Sequence, residues 1–114
     1  MPAYAIAHLR SVDMGADIVR YLEEIDATLE PFEGRFIIHG GEITELEGEW
    51  PGALIAIEFP SRERAEAWYA SDAYQAILPL RTNNSEGSAI LVEGVNPDHR
   101  ATDIIPPDVA RPRP

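Results

Sequence analysis

The order in which two periodicities follow one another does most to limit what this chain can fold into. Ala3 to Leu9 alternates along its length, with Tyr4, Ile6, His8 and Arg10 on one side and Ala5, Ala7 and Leu9 on the other, the two-residue period of a strand. Ile18, Leu22, Ile25 and Leu29 then recur at helical spacing, with Glu23, Glu24, Asp26 and Glu30 elsewhere around the helix. Asp13 is the expected N-cap and Pro31 the expected stop. The strand period returns over Gly34 to Gly40 and over Ala53 to Phe59, on either side of an acidic, turn-rich stretch from Gly41 to Gly52. Ser61 is placed to cap a second helix with Ala65, Trp68 and Tyr69 on its apolar side. Ser71 and Asp72 interrupt it, and Asp72 with Gln75 has the spacing of a capping box. A short helix follows with Tyr74, Ile77 and Leu78, to be kinked or ended by Pro79. Ala89 to Val95 is the fourth strand. The order is β-α-β-β-α-β, a split βαβ unit, and predicts an α+β domain with a four-stranded antiparallel sheet and its helices on one face.

The two faces of that sheet are unequal. Ala5, Ala7, Leu9, Phe36, Ile38, Ile55, Ile57, Phe59, Ile90 and Val92 make a wholly apolar face, suited to lie under the helices. The other collects Tyr4, Ile6, His8, Arg10, Arg35, Ile37, His39, Leu54, Ala56, Glu58, Ala89, Leu91 and Glu93. This second face is too apolar for water and too charged for a dry core unless its charges pair. A second copy packed sheet to sheet resolves both problems, with arginines and glutamates of the two copies meeting across a two-fold axis. A homodimer is therefore expected; a partly solvated monomer face is the plainer alternative.

Length and charge narrow the function. A chain of 114 residues suits one domain; residues 1–95 are read as that domain and 96–114, which hold five prolines, as an extended arm or disordered tail. Cysteine is absent, which excludes disulfides, thiolate nucleophiles and cysteine-held metals. All nine basic residues are arginine, which excludes a Schiff-base lysine. A net charge of -11 argues against nucleic acid and against an anionic membrane. The start of the chain lacks the basic and apolar regions of a signal peptide, and a cytoplasmic location is expected. No cofactor is expected either: there is no Gly-rich phosphate loop, no H-E-x-x-H, no G-x-S-x-G and no dinucleotide fingerprint.

An ordered set of short segments carries a resemblance. Pro2-Ala3-Tyr4, Gly34-Arg35-Phe36, Gly40-Gly41, Leu46-Glu47-Gly48-Glu49-Trp50-Pro51, Ile57-Glu58-Phe59-Pro60-Ser61, Ala67-Trp68-Tyr69-Ala70-Ser71, Tyr74-Gln75, Arg81 and Leu91-Val92-Glu93-Gly94 together resemble the family called domain of unknown function 1330. The resemblance covers residues 2 to about 95. It implies a ferredoxin-like fold in which two sheets pack as a dimeric α+β barrel, and it implies no activity. The wider barrel superfamily includes cofactor-free oxygenases, lactone isomerases, haem-degrading enzymes and non-catalytic members, and a fold does not choose among these. The chain departs from the family pattern at His39, where a basic residue, often arginine, is expected, and in its Pro-rich tail.

The residues able to carry chemistry are few. His8 and His39 are the candidate acid/base groups, since histidine is the side chain most naturally poised near neutral pH. Both are read as projecting from the mixed face, two strand spacings or about 10 Å apart in the 4-1-3-2 order of this fold, too far to share one zinc; no metal site is expected. The plainer reading makes each a hydrogen-bonded interface residue. Glu47 and Trp50, on the loop between strands two and three, could close one end of a pocket, or simply build a turn. Trp68 reads as core or as a ligand wall, and Tyr69 or Tyr74 could point a hydroxyl into a cleft. Arg81 could hold a ligand carboxylate, or pair with Glu47 or Glu93. The ligand-binding candidates are thus Glu47, Trp68, Tyr74 and Arg81. The function expected is binding of a small organic molecule in a pocket of the barrel. The alternatives are a cofactor-free oxygenase- or isomerase-like enzyme with a histidine acid/base, and a non-catalytic structural dimer.

Overall fold

The sheet is built outward from one central strand. In the computed structural model, which describes residues 1–109, β1 (Ala3–Val12) pairs with β3 (Ala53–Phe59) on one side and β4 (Ser85–Glu93) on the other, and β2 (Arg35–His39) lies outside β3. Every pairing is antiparallel and the strand order is β2-β3-β1-β4. Helices α1 (Ala16–Leu29), α2 (Arg62–Ala70) and α3 (Asp72–Thr82) complete the ferredoxin-like α+β fold. Ala3, Leu29, Phe59, Ala65 and Trp68 are among the driest residues of the core, each at most 3 % exposed. No helix among the described residues is long and apolar enough to cross a membrane.

Local chemistry explains most boundaries and corrects several. Ser61 caps α2, accepting from the Arg64 N–H at 3.2 Å. The cap of α3 is Ser71, which accepts from the Tyr74 N–H at 3.2 Å, and not Asp72. The cap of α1 is Gly15, and not Asp13, whose N–H donates to the Asn84 carbonyl at 2.8 Å and so ties the end of β1 to the entry of β4. Pro31 stops α1 in a single 3₁₀ turn, Glu30–Phe32, whereas α3 runs on through Pro79 to Thr82. The buried stripe of α1 is Ile18, Tyr21, Ile25, Thr28 and Leu29; Leu22 is more exposed. Strand β4 begins at Ser85, well before the expected Ala89, because backbone pairing with Val12 and Ser11 does not require apolar side chains. Gly52 must be glycine: its φ is +89°, and a Cβ there would run into the Leu9 carbonyl.

Two strands present faces opposite to those expected. In β4 the register pairs Ala5 with Leu91 and Ala7 with Ala89, so Ala89 and Leu91 face the helices, while Ile90 and Val92 face outward at 58 % and 42 % exposure. The run Ala89-Ile90-Leu91-Val92 is apolar throughout, so its alternation has no phase and only the pairing with β1 sets one. In β2 the register shifts between Phe36 and Ile38. Arg35 and Phe36 pair with Glu58 and Ile57, and after the shift Ile38 and His39 pair with Ala56 and Ile55. The extra residue is a β-bulge. It turns Ile38 outward and His39 inward, the reverse of simple alternation.

The outer face settles its charges within one chain. Arg35 donates to Glu58 Oε1 from Nε at 3.0 Å and from Nη2 at 2.7 Å, and the Tyr4 hydroxyl donates to Glu58 Oε2 at 3.4 Å. Beyond Glu93 the chain forms a 3₁₀ turn at Ala101–Ile104; residues 110–114 of the expected arm lie outside the described residues.

Candidate functional site

The space under α1 is only partly filled. The helix-facing residues of β1 include Ala5 and Ala7, and across from Ala7 on β4 stands Ala89. Alanine on a central strand gives the sheet little bulk on that face. Helix α1 packs along α3 more than on the strands. What remains is a partly open cavity of about 530 Å³, within the size range of small-molecule sites. Ala5, Ala7, Ala53 and Ala89 form part of its floor, and Ile18, Leu22 and Ile25 part of its roof.

One wall carries a polar cluster that α1 and α3 assemble between them. The Tyr21 and Tyr74 hydroxyls lie 2.8 Å apart in a buried hydrogen bond, their rings edge to face with centroids 6.2 Å apart. Arg81, in the last turn of α3, sets its guanidinium carbon 5.9 Å from the centre of the Tyr21 ring. Burial first, and Tyr74 second, raise the Tyr21 phenol above its ordinary pKa, so it stays neutral. Burial works against the Arg81 charge, but Tyr74 and Tyr21 outweigh it, and the guanidinium is held still more firmly protonated. Among the described residues Arg81 has no carboxylate within ion-pair distance, unlike Arg20, Arg35, Arg62 and Arg64. Trp68 completes this wall with its ring centre 4.1 Å from that of Tyr74. Its indole N–H is already engaged, donating to Thr28 Oγ1 at 3.0 Å, so it offers a ligand only its apolar surface.

The two histidines, both expected on the mixed face two strand spacings apart, stand on opposite faces of the sheet. The bulge in β2 brings His39 to the cavity, where its ring stacks on Phe36 with centroids 4.2 Å apart and planes 12° from parallel. His8 stays on the outer face, its Nε2 2.7 Å from the Pro51 carbonyl and its ring stacked 4.2 Å from Trp50. Glu47 and Trp50 border a separate, shallow hollow in the loop, formed with Ile43, Thr44, Glu45 and Leu46. Of the residues singled out in the sequence, the structure therefore brings together His39, Trp68, Tyr69, Tyr74 and Arg81; His8, Glu47 and Trp50 are elsewhere. Tyr21 was not singled out. Its signal was the i, i+4, i+8 spacing of Tyr21, Ile25 and Leu29, which competes with the Leu22 register for the buried face.

A four-stranded antiparallel sheet with helices on one face defines a ferredoxin-like α+β protein. The chain belongs to the DUF1330 family, a domain of unknown function, whose pattern matches residues 2–95. No match was found among curated proteins. Among solved structures, the chain is similar to a protein of unknown function from Rhodopseudomonas palustris, with 14% identity, 84% of each chain covered and a TM-score of 0.63. It is similar to a dimeric ferredoxin-like protein of unknown function from Jannaschia sp. CCS1, with 12% identity, 82% of this chain and 100% of that one covered, and a TM-score of 0.63. A more distant likeness is to SnoaB, a cofactor-independent oxygenase from Streptomyces nogalater, with 7% identity, 83% and 92% of the two chains covered, and a TM-score of 0.52. At these identities the likeness concerns the fold.

Proposed function

We propose that the protein is a homodimer that binds a small, largely apolar organic molecule in the cavity between its sheet and α1. The observation that carries this reading is the cavity itself: about 530 Å³, floored by alanines and bordered by Arg81, Tyr74 and His39. A void of that size in an interior otherwise packed like an organic crystal forfeits contacts that a ligand restores. The dimer is supported by the outer face, where Arg35 and Glu58 satisfy each other and leave Ile38, Ile90 and Val92 exposed, and by the dimeric relative of the same fold.

A thermal-shift screen of small organic molecules tests the binding. A compound at one hundred times its dissociation constant should stabilise the protein by about 2.7 kcal/mol. A screen in which nothing stabilises the wild-type protein leaves the non-catalytic structural dimer as the better reading. Light scattering should give twice the 12.6 kDa chain mass; the single-chain mass in dilute solution refutes the dimer. The second reading, a cofactor-free oxygenase- or isomerase-like enzyme, is favoured by His39, an imidazole placed at the cavity. On that reading His39→Gln abolishes turnover of a bound compound while leaving its binding intact, and equal turnover by both proteins removes His39 from the chemistry.

A further inference from the structure

We infer that the cavity selects organic anions, carboxylates above all, whose head group is received by Arg81 together with the Tyr21–Tyr74 pair. The inference rests on the cavity being a binding site and goes on to name the class of ligand.

The argument begins with hydrogen-bond inventory. Two phenols carry two protons, and their 2.8 Å contact uses one of them. The second proton remains free to donate, whichever tyrosine holds it. Arg81 adds a planar fork of N–H donors and no acceptor. The cluster is therefore rich in donors, and its fixed charge is positive. Most of the remaining lining is alkyl and aromatic carbon, from Ile18, Leu22, Ile25, Ile57 and Trp68 among others, which cannot accept a strong hydrogen bond; His39 is the polar exception. In a chain with 20 acidic residues and nine arginines, carboxylates are plentiful, and among the described residues four arginines have found one. Arg81, half-buried at the cavity, faces two hydroxyls instead.

An arginine fork matches a carboxylate in shape as well as charge, since two parallel N–H bonds meet its two oxygens. The free phenol proton would supply a third donor. A neutral alcohol would leave part of the fork unmatched, and an ammonium would meet like charge. The apolar walls then require that the rest of the molecule be hydrocarbon. The class is an amphipathic organic acid: one anionic head on a compact apolar body, aromatic or aliphatic.

The test uses two matched probe sets on the full-length protein, followed by calorimetry. One is rigid (2-naphthoate, 2-naphthalenemethanol and 2-naphthalenemethylamine) and one flexible (octanoate, octanol and octylamine). The acid should bind about tenfold or more tighter than its alcohol, and the amine weakest, as expected for a hydrogen bond to a charged group in a low-dielectric site. Arg81→Gln should bring the acid close to the affinity of the alcohol and weaken the alcohol much less. Tyr21→Phe should weaken the acid several-fold and spare the alcohol. Should Arg81→Gln fail to fold, the ranking of acid, alcohol and amine on the wild-type protein decides alone. Equal binding of acid and alcohol overturns the selectivity and leaves the binding cavity standing. Failure of every probe to bind the folded wild-type protein overturns both.

Discussion

Replacing Ala7 with leucine should make the protein more stable, and the sign of that change tests whether the interior is hollow. Ala7 faces the helices from the middle of β1, opposite Ile55 and Ala89, and borders the cavity. Leucine adds three carbons there, worth about 2 kcal/mol if all are buried at ~0.8 kcal/mol each. Ordering the new side chain removes about 0.5–1 kcal/mol, and the open side of the cavity leaves part of it wet. The net gain should be about 1 kcal/mol, enough to raise Tm by roughly 4–8 °C in a domain of this size. Ala3 provides the control. It lies on the same face of the same strand, opposite Phe59, but is 0 % exposed. The same substitution at Ala3 should cost about 1–3 kcal/mol through overpacking. Urea and thermal unfolding of the two variants measure the contrast, and any compound that stabilises the wild-type protein should lose affinity for Ala7→Leu. If Ala7→Leu is destabilised as Ala3→Leu is, the space under α1 is filled in solution and the binding argument fails with it.

Other perturbations probe the rest of the molecule. Phe59→Ala removes the largest fully buried side chain, 0 % exposed against Trp68 and Gly34, and should cost about 3–5 kcal/mol, read from the urea midpoint. Tyr21 should resist ionisation in an ultraviolet titration, because burial and Tyr74 raise its pKa. Since the raised pKa belongs to the folded state, the unfolded chain releases this proton first, and the associated stability, complete below about pH 10, is lost as pH rises above it. Tyr21→Phe should flatten that alkaline decline; an unchanged pH profile would show that Tyr21 does not drive it. Ile90→Glu places a charge in the exposed apolar patch of the outer face and should shift light scattering from the two-chain to the one-chain mass without a large loss of helix signal; a variant that stays dimeric locates the interface elsewhere.

The fold was legible wherever a segment had one unambiguous period. Ala3 to Leu9 and Ala53 to Phe59 alternate without interruption, and their predicted faces agree with the observed register. The errors fall where the pattern carries no phase. Ala89 to Val92 is apolar at every position, so its face is set by pairing with β1, which is a tertiary fact. Ile37 and Ile38 are identical neighbours, and a bulge between them leaves no trace in composition. That single slip carried His39 from the expected outer face to the cavity. The polar wall was half visible. Tyr74 and Arg81 stood out as individual residues, but their partner Tyr21 lies 53 positions from Tyr74, a distance that no local pattern spans. The cavity, by contrast, had a signal that periodicity arguments pass over: apolar positions filled by alanine count toward a core face but supply little volume.

That distinction between apolar character and volume explains how one continuous sheet face can hold both a packed core and a cavity. Near Ala3 the face is filled. Phe59, opposite Ala3, meets Trp68 with ring centres 5.3 Å apart, and two aromatic rings more than make up for the small side chain between them. Farther along β1, Ala5 and Ala7 are opposed by Ile57, Ile55, Leu91 and Ala89, and the aromatic rings of α2, Trp68 and Tyr69, border the space above without filling it. Trp68 stands at the boundary, packed on Phe59 at one side and bordering the cavity at the other. Its locked indole N–H fixes that wall in place, so the filled half can hold the hollow half open. A preorganised cavity of this kind does not have to be formed when a ligand arrives, and the free energy otherwise spent on ordering the site remains in the affinity. The fixed geometry also bears on Arg81. With α3 anchored through Tyr74 to Tyr21 of α1, the guanidinium is carried on a helix rather than a loop, and on the proposed reading that placement would give a single arginine the precision to discriminate between ligand head groups.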